Sequence, residues 1–236
     1  MTILDLYIGW DPRESHSFEV FRSSLERRTS KPLHIRKLMQ QALRHEGIYT
    51  RPQVIKKGQA WDVISGAPMS TEFAITRFLV PHIQREGWCL FGEPDMVCLA
   101  DIAELFALAD DRYAVMCVHH DYVSRETSKM GGKMQVPYPR KNWSSLMLVN
   151  ASHPANKRLT LDMVNTLPGR DLHRFCWLED HEIGSLPIEW NYLVGEAMPV
   201  VRPKILHYTI GTPELTAPEW LNEAMILRKP LPSEVA

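Results

Sequence analysis

Two carboxylates, Glu93 and Asp95, stand one residue apart just after a short apolar run, Trp88-Cys89-Leu90-Phe91, that stops at Gly92. Carboxylates at i and i+2 can aim oxygens at one hard cation, and such a cation can hold phosphates. The apolar run has the character of a buried strand. Open α/β sheets bind ligands beyond the C-terminal ends of their strands, which is where this pair falls. A second apolar run, Met96 to Leu99, follows, and then an acidic helix start, Asp101-Ile102-Ala103-Glu104-Leu105-Phe106. The competing reading of Glu93 and Asp95 is an ordinary acidic turn; the flanking pattern favours the cation site.

The elements that must position this pair alternate in type. Ile3 to Ile8 is a β-branched and aromatic run ending at Gly9, a first strand. His16 to Arg28 has helical periodicity, with Phe18, Val20, Phe21 and Leu25 largely on one face. Leu33 to Leu38 is a second strand, and residues 39–71, punctuated by Pro52, Gly58, Gly66 and Pro68, are expected as loops over one end of the sheet. Ser70 or Thr71 caps a helix running to about Glu86, bent at Pro81. Strands are expected at Trp88–Phe91, Tyr113–Val118, Trp143–Val149 and Val200–Tyr208, a helix at Pro154–Thr166, and a short extended piece at Pro187–Trp190. Residues 119–140 form a long loop without apolar periodicity, and Lys129 and Lys133 flank its Gly131-Gly132, so it is either a lid over a ligand or a solvated loop. Strands alternating with helices give an α/β fold with a mostly parallel central sheet flanked by helices. No GxGxxG and no P-loop occurs anywhere, which argues against a dinucleotide-binding Rossmann enzyme.

Composition bounds the rest. The 236 residues fit one domain, with a core over about 3–211 and a tail at 212–236 carrying Pro213, Pro218, Pro230 and Pro232. With 44% hydrophobic and 23% charged residues the chain is an ordinary soluble globular protein. A net charge of −1 offers no electrostatic footprint for nucleic acid or an anionic membrane. The N-terminus enters a strand with no basic region or cleavage site, and no window reaches the roughly 20 apolar residues of a membrane span. Cys89, Cys98 and Cys117 sit in apolar runs and no CxxC occurs, so the cysteines read as free thiols of a cytoplasmic protein.

The order of these motifs resembles the nucleotide-sugar-dependent glycosyltransferases of the GT-A fold, and most of all family 8, the glycogenin and lipopolysaccharide galactosyltransferase group. The resemblance rests on Tyr7-Ile8-Gly9-Trp10-Asp11, on Phe73 to Pro81 with Arg77, and on Glu93-Pro94-Asp95 running through Asp101 to Phe106. It continues with Trp143 to Asn150, Asp180-His181, Leu186-Pro187-Ile188-Glu189-Trp190-Asn191, and Ile205-Leu206-His207-Tyr208-Thr209-Ile210-Gly211. Three departures mark a divergent branch: Glu93 in place of the first aspartate, Trp143 in place of an asparagine, and His181 in place of a glutamine.

The resemblance implies a metal-dependent transfer of a sugar from a nucleotide-sugar donor, a UDP-sugar first among them, to a saccharide or glycoconjugate, with retention of configuration. By the same resemblance Glu93, Asp95 and His207 hold Mn²⁺ or Mg²⁺, and two carboxylates with one imidazole suit Mn²⁺ somewhat better. Tyr7, Gly9 and Asp11 would contact the nucleotide, Arg77 would neutralise phosphate or hold Asp95, and Gly211, in the turn after the late strand, would belong to the cofactor-binding residues with Glu93. Asp180 and Asn191 would act near the anomeric carbon and acceptor, with His181 and Trp190 lining the sugar. Each of these side chains also has a plain structural reading as a core, capping or surface residue. Two rival functions remain: a GT-A domain that binds nucleotide or carbohydrate without turnover, and, less well supported for want of a glycine-rich basic N-terminal loop, a nucleotidyltransferase.

Overall fold

The computed structural model describes residues 2–120, 128–129, 133–134, 140, 142–196 and 202–209. In chain order the elements are β1 (Leu4–Gly9), α1 (Ser15–Glu26), β2 (Leu33–Leu38), α2 (Gln40–His45), β3 (Gln53–Lys56), β4 (Gln59–Asp62), β5 (Ala67–Pro68), α3 (Phe73–Thr76), α4 (Val80–Gln84), β6 (Trp88–Gly92), β7 (Met96–Cys98), α5 (Ile102–Phe106), β8 (Val115–Cys117), β9 (Ser128–Lys129), β10 (Lys133–Met134), β11 (Leu146–Asn150), α6 (Leu161–Thr166), α7 (Gly169–His173), β12 (Ile183–Ser185), β13 (Tyr192–Leu193) and β14 (Ile205–His207). Six strands make the central sheet in the order β12-β8-β11-β6-β1-β2. β1 is parallel to β2 and β6, and β8 to β12, while β11 runs antiparallel to both of its neighbours. The expected α/β fold with a mostly parallel sheet is therefore present. Because β11 opposes both β6 and β8, those two strands point the same way, and the residues after each emerge at one edge of the sheet.

Side chains alternate along each strand, and that period of two divides the core. Leu6, Ile8, Leu90, Met116, Leu146 and Leu148 pack on one face with Phe18, Phe21 and Leu25 of α1. Tyr7, Cys89, Phe91, Val115, Met147 and Val149 pack on the other with Phe73, Phe78, Leu79, Phe175 and Trp177. A sheet covered on both faces reads as near-continuous apolar runs, which is how these strands read in the sequence. Gly9 closes β1 where only a glycine fits, since a Cβ there would lie 2.5 Å from the Phe73 ring.

Several elements differ from the sequence expectation. Residues 39–71 are not loops: they contain α2 and the antiparallel β3-β4-β5 sheet. Lys57 and Gly58 turn between β3 and β4 with φ of 49° and 74°, the positive pair that a two-residue type I′ hairpin requires. The expected long helix of 70–86 is divided into α3, a 3-10 turn at Arg77–Leu79 and α4, with Pro81 in the first turn of α4. Trp143–Ser145 is a 3-10 turn and β11 starts only at Leu146. Pro154–Arg158 and Ile188–Asn191 are likewise 3-10 turns, and Thr160 caps α6 by accepting the Met163 N–H. α7 had no counterpart in the sequence reading. Within the loop at 119–140, β9 and β10 pair antiparallel; the side chains of Lys129 and Lys133, and the lid they suggested, lie outside the described residues.

Candidate metal centre

Glu93 follows the last residue of β6, and its amide donates to the Ser145 carbonyl at 3.0 Å, which fixes the carboxylate at the strand's C-terminal end. Asp95 precedes β7. β7 pairs with β14 antiparallel with Met96 opposite His207, and the Tyr208 amide donates to the Asp95 carbonyl at 2.9 Å. That pairing brings a histidine from the far end of the chain onto the acidic pair. His207 Nε2 lies 3.2 Å from Glu93 Oε2 and 3.3 Å from Asp95 Oδ1. One ligand atom from each of the three residues lies within 4.8 Å of the other two. His207 Nε2 and Asp95 Oδ1 are buried and have no hydrogen-bond partner among the described residues. Buried polar atoms are rarely left so, and two carboxylates with one imidazole are a donor set suited to a divalent cation such as Mn²⁺. The residues present therefore fit the group.

Supporting contacts set the direction of each ligand. Arg77, buried at the α3 end, donates to Glu93 Oε1 at 2.6 Å and to the Ser144 and Phe73 carbonyls. The carboxylate it pairs with is Glu93. Asn191 is fully buried; its amide nitrogen donates to Ser145 Oγ, and its Oδ1 lies 2.9 Å from His207 Nδ1. An acceptor there requires Nδ1 to carry a proton, which leaves Nε2, facing the two carboxylates, as the nitrogen that would ligate a cation. Burial pushes the Glu93 carboxyl up, but Arg77 and His207 outweigh it and hold it well below the usual carboxylate range. For His207 burial favours the neutral ring, and the adjoining Asp95 and Glu93 reverse this and raise its pKa.

Two further groups adjoin the cluster without having been read from the sequence. Glu14, at the end of the Pro12–Glu14 3-10 turn, has a buried Oε2 with no hydrogen-bond partner among the described residues. Burial, then Asp95, Asp11 and Glu93, push its carboxyl up to about 8. The signal was available: an Asp cap followed by Pro12 fixes a turn just beyond β1 and aims Glu14 from it. His120, beyond the C-terminal end of β8, has an unpartnered Nε2 and is held neutral, its pKa lowered to about 4 by burial and then by the charge of His207.

Of the other residues named from the sequence, the structure brings few to the cluster. The Tyr7 hydroxyl donates to Gln84 and accepts from Arg36, and its ring is core, so it has no face for a base. Asp11 is buried and its two oxygens are filled by Arg13 and the Glu72 amide; it organises the Pro12 turn. Trp190 is 1% exposed in the core with Lys204 over its ring, which removes it from the sugar side. Asp180 and His181 lie on the turn before β12. β12 runs parallel to β8 with Ser185 level with Cys117, so that turn is at the opposite end of the sheet from Glu93. The Asp180 side chain is 94% exposed and pairs with Arg140. Gly211 lies outside the described residues.

No protein-family model matches the chain. Over 231 residues it is 46% identical to Protein CDI of Arabidopsis thaliana, covering 92% of this chain and 85% of that protein. Among solved structures it is similar to the bifunctional glycosyltransferase WbbM, with a TM-score of 0.58 and 15% identity over 89% of this chain. It spans 46% of WbbM, about half its length. It is also similar to an active-site mutant of LgtC, with a TM-score of 0.56, 11% identity and 98% of each chain covered. At these identities the likeness is one of fold: the chain has the GT-A architecture that these glycosyltransferases share.

Proposed function

For a chain that belongs to the family of Arabidopsis thaliana Protein CDI and is built on the GT-A fold, we propose the activity of a divalent-cation-dependent glycosyltransferase. One observation carries the reading: Glu93, Asp95 and His207 converge beside the C-terminal end of β6, and two of their buried ligand atoms make no hydrogen bond among the described residues. The donor is a nucleotide sugar, UDP-linked in this proposal, and the acceptor a saccharide or glycoconjugate. A bound Mn²⁺ or Mg²⁺ would offset the negative charge that develops on the leaving diphosphate.

The chain's own residues prepare that site. Arg77 occupies one oxygen of Glu93 and leaves the other facing His207. Asn191, held by Ser145, keeps the proton on Nδ1 of His207 and so is a positioning residue. Asp180 stands away from the cluster, so we assign retention to a front-face route in which the leaving phosphate accepts the acceptor's proton and no enzyme nucleophile is needed. In this reading the chain is one catalytic domain. A reducing compartment such as the cytoplasm is its proposed location, supported by four free cysteines, Cys89, Cys98, Cys117 and the exposed Cys176.

Thermal unfolding with UDP, GDP, CDP or ADP, each with and without Mn²⁺, tests the reading. Ligand at about 100 times its Kd adds about 2.7 kcal/mol, a midpoint shift of about 5–10 °C for a chain of this size. A shift that needs both Mn²⁺ and one nucleotide, and that Asp95→Ala abolishes, is expected; no metal-dependent shift with any nucleotide overturns the reading. The position of Asp180 also favours a second reading, a nucleotide-binding domain without turnover. Metal-dependent nucleotide binding with neither transfer nor hydrolysis across a donor and acceptor panel would select it.

A further inference from the structure

The proposed transfer still lacks a place for its acceptor, since Trp190 is core and Asp180 and His181 lie at the opposite end of the sheet. A cleft of about 550 Å³ opens between the β3-β4-β5 sheet, α3 and α7, a size usual for a small-molecule site. Two of its lining residues are tied to the strand ends that carry the cation centre. His173 Nδ1 lies 2.7 Å from Ser144 Oγ, the Ser144 carbonyl accepts from Arg77 at 2.9 Å, and Arg77 donates to Glu93 at 2.6 Å. The Ser70 carbonyl accepts from Arg13, which pairs with Asp11 just beyond β1. The charges of the cleft are paired off: Asp62 is held bidentate by Arg51, and Arg170 lies 3.5 Å from Asp171. Ser65 Oγ already accepts from Arg51 and from the Gly169 amide. The His173 ring packs edge-on against Phe78 at 5.1 Å, and burial, then the charge of Arg77, lower its pKa to about 3, so it is neutral. Much of the remaining wall is aliphatic, with Ile64, Pro68, Met69 and Ile75, and no Phe, Tyr or Trp lines it among the described residues.

We propose that this cleft is the acceptor site and that it takes a neutral glycoconjugate, with a hydroxyl at His173 and an aliphatic portion against Pro68, Met69 and Ile75. The inference rests on the glycosyltransferase reading above. A neutral imidazole hydrogen-bonds a neutral hydroxyl without the desolvation cost of an ion. A charged acceptor would find no unpaired counter-charge in the cleft to offset its own desolvation. A plain sugar would leave the aliphatic wall wet and has no aromatic face there to lie on, whereas an aliphatic portion buries that wall and gains affinity with each methylene. Ser144 and Arg77 alone stand between His173 and Glu93 in the hydrogen-bonded chain, so a hydroxyl at His173 is on the cation-centre side of the cleft.

The test is calorimetric titration of the full chain, without metal or nucleotide, with n-hexyl β-D-glucoside and methyl β-D-glucoside below the micelle concentration, on wild type, Ala67→Leu and His173→Gln. Hexyl glucoside is expected to bind wild type at least about 10-fold more tightly than methyl glucoside, and to move the nuclear magnetic resonance signal of the Met69 methyl group. Ala67→Leu, which narrows the cleft, should remove the preference, and His173→Gln should weaken both glucosides by about 2–10-fold. Equal affinity of the two glucosides for wild type overturns the proposal. So does a hexyl preference that leaves the Met69 signal unmoved, because the alkyl chain then binds elsewhere; this reading needs no variant to fold. A wild type that shows the metal-dependent nucleotide shift but no hexyl preference overturns the acceptor proposal alone. A hexyl preference in a protein with no nucleotide shift removes the transferase reading, and with it the role of the cleft as an acceptor site.

Discussion

Two buried charge clusters in this molecule are built on opposite terms. Arg51 and Asp62 join the β3-β4 hairpin to the body with every polar atom engaged. The guanidinium is fully buried and bidentate to the carboxylate at 2.8 and 2.7 Å, and also donates to the Val164 carbonyl and Ser65 Oγ. The Ser65 amide gives Asp62 a further donor. Around Glu93, Asp95 and His207 the supporting groups are equally well made, but Asp95 Oδ1, His207 Nε2, Glu14 Oε2 and His120 Nε2 are buried with no hydrogen-bond partner among the described residues, the first two facing each other at 3.3 Å. A satisfied buried pair specifies structure; an unsatisfied cluster held rigidly from behind marks a place built for something else. The first ties the β3-β4 hairpin to the segment before it and to Val164, and the second lies at the end of the sheet where α/β folds bind ligands.

Removing one partner from the satisfied pair should have the largest effect on stability. Arg51→Ala leaves Asp62 buried and unpaired, and a loss of about 3–5 kcal/mol is expected in denaturant unfolding, with Mn²⁺ affinity of the folded protein unchanged. Asn191→Ala comes next: it strips an acceptor from His207 and a donor from Ser145. A loss of about 1–3 kcal/mol is expected, together with about 10–100-fold weaker Mn²⁺ binding. Asp95→Ala sharpens the contrast from the other side. Its metal-free stability should fall less than that of Arg51→Ala, because Glu93 still faces His207 when Asp95 is gone, while the metal-dependent nucleotide shift disappears. Equal destabilisation by Arg51→Ala and Asp95→Ala would break the comparison.

pH separates the clusters further. Burial opposes ionisation of Asp62, but the hydrogen bonds from Arg51 and Ser65 prevail and lower its folded pKa. Its contribution is present above the unfolded carboxylate range and is lost as pH falls through the folded value. Glu14 behaves oppositely. Its folded pKa is raised to about 8, so the stability it contributes is full below the unfolded value and is lost as pH rises through about 8. Metal-free midpoints of Glu14→Gln should therefore overtake wild type between pH 5 and pH 8; parallel curves would show that burial does not hold the Glu14 carboxyl protonated. The smallest effect is expected at the exposed Lys204–Glu104 pair, where Lys204→Ala should cost less than about 1 kcal/mol.

Much of the frame was legible because it is written in local pattern. The apolar run before Gly92, the acidic pair after it and the strand at Ile205–His207 follow from periodicity and composition over a few residues. The β3-β4 hairpin was missed although Lys57-Gly58 carried the signal, because prolines and glycines nearby made the whole region look irregular. Tyr7, Asp11 and Trp190 are buried, a placement that the sequence does not reveal for another reason. An aromatic ring or a carboxylate near a strand end has the same sequence signature whether it faces a ligand or the core.

The sequence by itself determined the alternation of elements and the Glu93-Pro94-Asp95 spacing, since both depend on neighbours along the chain. Only the tertiary structure decided who stands beside that pair. The antiparallel pairing of β14 with β7 delivers His207, α3 delivers Arg77, the turn before β13 delivers Asn191, and the turn after β1 delivers Glu14. Each arrives through a long-range strand pairing or packing contact whose partner no local propensity encodes. It is the burial created by those contacts that turns four ordinary side chains into one charged, incompletely partnered site.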